Sequence, residues 1–107
     1  MVDYQNSLAK SKKVFLEGMI FGHRLADSVK SVLAIGERYG EEFAKDNEFF
    51  FARLSEGEND FDSLLIAVVE QTIDGLTEGR KINQIVETIM IAGAAYGFEM
   101  AKEQAKV

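Results

Sequence analysis

Apolar side chains recur at helical spacing along most of this chain and do not form short alternating runs bounded by turn residues. Take Val14 as zero and advance 100° per residue. Phe15, Met19, Gly22, Ala26, Val29 and Leu33 then gather on one side, with Val14, Phe21, Leu25 and Val32 next to them. Lys13, Glu17, Arg24, Asp27 and Ser31 take the opposite side. The pattern predicts a first helical segment over about Ser7 to Ile35. Its apolar arc is wider than the ~100° stripe of a helix with one neighbour. It should therefore pack on several neighbours, and a second chain is a candidate for one of them.

Gly36 and Gly40 bracket Glu-Arg-Tyr and predict a bend or stop, since glycine inside a helix costs about 1 kcal/mol relative to alanine. A second segment, about Glu41 to Leu54, lines up Tyr39, Phe43, Phe50 and Leu54, with Phe49 and Phe51 on either side. Residues 55–62 read as a loop, in which Asn59 or Asp60 can cap the next helix. The third helix, about Phe61 to Thr77, places Phe61, Leu64, Leu65, Val68, Val69, Thr72 and Leu76 on one face. Gly79 is positioned to end it in the left-handed conformation. A fourth helix runs from about Ile82 to Lys106. So short a turn makes helices three and four an antiparallel hairpin. The expected fold is all-α: a compact bundle of about four helices in one domain over residues 1–107, with the first helix long or bent.

Composition narrows the function classes. Proline is absent, which suits long helices, and 47% of residues are hydrophobic, enough for a core. Cysteine is absent, so disulfide frameworks and thiolate chemistry are excluded, and a cytoplasmic location is the natural expectation. The most apolar run, Ile89 to Phe98, is far shorter than the ~20 residues of a membrane helix, so no membrane partner is expected. The net charge is −6. Residues 1–40 carry six basic and four acidic side chains, and residues 41–107 carry six and fourteen. An acidic chain repels phosphate, which argues against direct nucleic-acid binding and leaves a protein with a basic surface as a possible partner.

Candidate chemistry is sparse. His23 is the sole histidine and falls at the rim of the polar face without an evident orienting partner. Glu70, Asp74 and Glu78 follow one another at single-turn spacing, and Glu37, Glu41, Glu42 and Asp46 could face them to hold magnesium, as in all-helical nucleotide pyrophosphohydrolases. The paired spacings of those enzymes are not present, and a solvated acidic face is the simpler reading. The loop before the third helix fails the EF-hand pattern: counted from Glu58, the sixth residue is Ser63 and the twelfth Val69. No phosphate-binding glycine loop or nucleophile elbow occurs. No catalytic residue, cofactor or metal is therefore expected.

Two features point to association instead. Phe49, Phe50 and Phe51 project in three directions, so one small core cannot easily bury them all. Gly18–Gly22 and Gly93–Gly97 are small-xxx-small pairs on apolar faces, suited to close helix crossing. The match around these two pairs is too loose to mark a duplication. The expected function is that of a non-enzymatic interaction or adaptor protein, such as an accessory protein of a phage or other mobile element. It should form a homodimer or higher oligomer through Phe21, Leu25 and the Phe49–Phe51 run, rimmed by Arg24 and Arg53. An acidic inhibitor that blocks a basic groove on a nucleic-acid enzyme, and a magnesium-dependent phosphohydrolase, are the alternatives.

Overall fold

The computed structural model describes residues 3–46 and 60–105, which form four helices. They are α1 (Tyr4–Ile20), α2 (Leu25–Asp46), α3 (Phe61–Thr77) and α4 (Ile82–Ala105). The all-α bundle and the α3–α4 hairpin are as the sequence predicts. The boundaries of the first half are not. The stretch read as one helix from Ser7 to Ile35 is divided at Phe21–Arg24, and the expected break at Gly36–Gly40 lies inside α2.

The two tight turns are built alike. Gly79 has φ +83°; its N–H donates to the Leu76 carbonyl and the Arg80 N–H reaches back to the Gly75 carbonyl. Gly22 has φ +73°; its N–H donates to Met19 and the His23 N–H to Gly18. Both are Schellman ends, where a left-handed residue lets the last carbonyls of a helix be satisfied. The helix starts match too. Asp3 caps α1 by accepting from the Gln5 N–H at 3.1 Å, and Asp60 caps α3 by accepting from the Ser63 N–H at 2.8 Å.

These matches are parts of an internal repeat. Residues 3–46 correspond to residues 60–103 at a constant offset of 57, from Tyr4 to Phe61 and from Leu25 to Ile82. The cap Asp3 pairs with Asp60, and Gly18, Gly22, Gly36 and Gly40 pair with Gly75, Gly79, Gly93 and Gly97. Val29 pairs with Val86, and Tyr39 with Tyr96. α1 and α3 are each 17 residues long. Burial follows the same offset: Val29, Val32 and Leu33 are fully buried, as are Val86, Ile89 and Met90. Tyr4 meets Tyr39 edge-to-face at 5.6 Å between ring centroids, and Phe61 meets Tyr96 at 5.9 Å with the same 69° between planes.

The two hairpins pack through their second helices. A Cβ added to Gly36 would fall well inside 3.0 Å of the Met90 carbonyl oxygen, and one on Gly93 would do the same at Leu33. Gly40 lies against Ala94 in this way, and Gly97 against Glu37. Shifting either member of these pairs by 57 residues gives the other, so the seam has pseudo-twofold symmetry. Contacts that climb together along both helices also make α2 and α4 parallel. Their backbones touch because glycine removes the side chain that would hold them apart. The outer helices α1 and α3 each pack on both inner helices and not on each other. From Ile89 to Phe98 no residue of α4 is exposed, so its apolar run reflects burial on all sides.

Candidate functional site

Because the repeats share a fold, they separate residues that the fold needs from residues that it does not. The turn at the end of α1 stands out. Ile20 is 76% exposed and Phe21 71%, with Leu16 and Met19 also exposed beside them. Leu16 and Met19 have apolar, exposed counterparts in Ile73 and Leu76. Ile20 and Phe21 instead correspond to Thr77 and Glu78. The same helix end therefore forms in α3 with polar residues at both positions, and its geometry does not require an apolar pair. Around the patch, His23 is exposed with its ring 6.4 Å from that of Phe21, and Arg24 is exposed at the rim.

The remaining residues singled out from the sequence fall in several places. Leu25 is half-buried against the main core rather than projecting into a seam. As the first residue of α2 it turns inward once the chain has reversed at Gly22. Phe49, Phe50, Phe51 and Arg53 lie outside the described residues. Gly93 and Gly97 lie on the α2–α4 seam. Gly18 lies where α1 crosses α2, so close that a Cβ would overlap the Ser28 hydroxyl. Gly22 is not a packing glycine: it is exposed, and an added Cβ would meet nothing within 4 Å. Its role is the positive φ of the turn. Gly36 and Gly40, read as a break, are the packing partners that sequence reasoning missed. The signal that could have found them is the spacing Gly-x-x-x-Gly repeated at the same offset in both halves.

A second feature comes from divergence between the repeats. In the first, Phe15 is fully buried and Ser28 lets Gly18 approach α2. Their counterparts are Thr72 and Ile85, a smaller residue and a larger one. Ile85 holds α3 off, so a Cβ on Gly75 would find its side chain at an ordinary 3.4 Å. Thr72 does not fill the gap, and it satisfies its own hydroxyl by donating to the Val68 carbonyl at 2.8 Å. The result is an open cleft of about 510 Å³ between α3 and α4, whose lining includes Thr72, Asp74, Glu78, Gln84 and Thr88.

The carboxylates Glu70 and Asp74 are exposed on α3 and Glu78 just past its end, where it pairs with Arg80 at 3.2 Å. Among the described residues, no three acidic or histidine side chains are grouped to hold a metal ion. On α2, Glu37 is half-buried, and its carboxyl is pushed above the usual range by that burial and by Glu41. Burial also pushes the Tyr4 hydroxyl up to about 12, helped by its hydrogen bond to Glu87 at 2.5 Å. The Tyr4–Glu87 hydrogen bond ties α1 to α4. None of the helices described is long and apolar enough to cross a membrane. Comparison with protein-family models, with curated proteins and with solved structures gives no match.

Proposed function

We propose that this protein is a non-enzymatic interaction module that works by docking the apolar end of α1, and that it associates with itself. One observation carries the reading. Ile20 and Phe21 are exposed where the equivalent turn of the other repeat has Thr77 and Glu78. Large apolar side chains kept in water at a position that folds without them fit an interaction surface. Removing one such side chain from water contributes roughly 1.5–3 kcal/mol, so a pair of them can anchor a contact. This reading keeps Phe21 as an interface residue and excludes Leu25; the Phe49–Phe51 run lies outside the described residues. No specific observation favours a phosphohydrolase or an inhibitor of a nucleic-acid enzyme. Molar mass by light scattering at micromolar concentration tests the proposal. A mass above the monomer supports it, and a monomer mass at every concentration refutes self-association.

A further inference from the structure

We propose that the copies assemble head to tail, the outer face of α1 in one copy seating on the outer face of α3 in the next; this rests on the self-association proposed above. The two outer helices occupy equivalent places, and both leave an apolar strip uncovered. On α1 the strip is Leu16, Met19 and Ile20; on α3 it is Ile66, Ile73 and Leu76. The strips carry opposite charge. Helix α1 holds three basic residues and one acidic, while α3 holds three acidic and no basic. The contrast reaches equivalent positions. Lys13 stands one turn before Leu16, and its counterpart Glu70 stands one turn before Ile73. Both are exposed.

A symmetric contact of α1 on α1 would bring two net basic helices together, and α3 on α3 two acidic ones. Like charges facing each other across an interface are unfavourable, whereas α1 on α3 sets lysine against glutamate around two apolar strips. The two faces belong to different helices that do not touch, so a docked pair keeps one face of each kind free. Such a contact is heterologous: it closes into a ring or grows.

Two exposed-site variants test this. Leu16→Glu disables the α1 face and Ile73→Glu the α3 face, and cooperative thermal melts with retained helical circular dichroism show that both still fold. The expected result is that the wild-type chain exceeds the monomer mass and each variant alone runs as a monomer. An equimolar mixture should form a complex of two chains, because each variant supplies the face the other lacks. Added salt should weaken that complex, as charge screening requires. If Ile73→Glu alone still associates while Leu16→Glu does not, the copies meet α1 to α1. Head-to-tail order is then wrong, and the α1 docking surface stands. A monomeric wild-type chain overturns both proposals. A mixture that stays monomeric overturns the pairing of α1 with α3.

Discussion

Replacing Gly93 with alanine tests the seam that joins the two hairpins. In an open helical position this change stabilises by about 1 kcal/mol, since alanine is the better helix former. Here the new Cβ would fall well inside 3.0 Å of the Leu33 carbonyl oxygen, with the Leu33 carbonyl carbon and Cα at 3.0 Å. Those atoms belong to a helix backbone and cannot rotate away as a side chain would. The inner helices must separate, and the surrounding core, including Val32, Leu33, Ile89 and Met90, loosens with them. Overpacking of this kind costs about 1–3 kcal/mol, and a backbone obstacle places it at the upper end. After the gain in helix propensity, a net loss of about 1–2 kcal/mol remains. At about 4–8 °C per kcal/mol, circular dichroism should show Tm falling by roughly 4–16 °C. Gly36→Ala should match it, because the two sites are equivalent. Gly75→Ala is the internal control: its Cβ meets only side chains at ordinary distances, Ile85 at 3.4 Å and Arg80 at 3.6 Å, so Tm should hold or rise. A rise in Tm for Gly93→Ala or Gly36→Ala would refute the close seam.

Three further outcomes are expected. Leu64→Ala should cost about 2–5 kcal/mol in denaturant melts because Leu64 is buried, and Leu65→Ala clearly less because Leu65 is half-exposed. Ser11 is fully buried, its hydroxyl has no partner among the described residues, and its counterpart is Val68; Ser11→Ala should hold or raise Tm, and a large drop would contradict the repeat alignment. The Tyr4 hydroxyl sits near 12 in the folded chain and near 10 when unfolded, so its contribution is full below pH 10 and is lost as pH rises towards 12. Tyr4→Phe, which copies Phe61, should flatten that alkaline loss in pH-dependent melts.

Much of the fold is legible in the sequence because helices, caps and the α3–α4 hairpin are local. Asp60 and Gly79 do what their residue types favour. The failures share a cause, since glycine serves two purposes here, turning the chain and letting helices touch. Gly22 turns the chain, yet the apolar period runs across it and suggests one continuous helix. Gly36 and Gly40 cost helix propensity locally, and only their contact with α4 explains why α2 continues through them. The repeat stays hidden when Gly18–Gly22 is compared with Gly93–Gly97, because one is a helix end and the other a crossing. The face of α3 is also read too wide. Leu64-Leu65 and Val68-Val69 are apolar pairs that fit two neighbouring arcs, and packing selects Leu64, Val68 and Thr72. Leu76, placed on the same apolar face, is exposed. The apolar end of α1 is legible as Phe21 alone. Its meaning depends on the comparison with Glu78 that the repeat supplies.

The central claim is that Ile20 and Phe21 serve association and not the fold. Its most direct test gives the first repeat the residues of the second, as the double variant Ile20→Thr, Phe21→Glu, with molar mass by light scattering measured on samples of verified thermal stability. Association through this pair predicts a monomer that still melts cooperatively, its Tm lowered by no more than the stabilisation that association gives the parent. A variant that associates as the parent does, or one whose melt collapses, would contradict it.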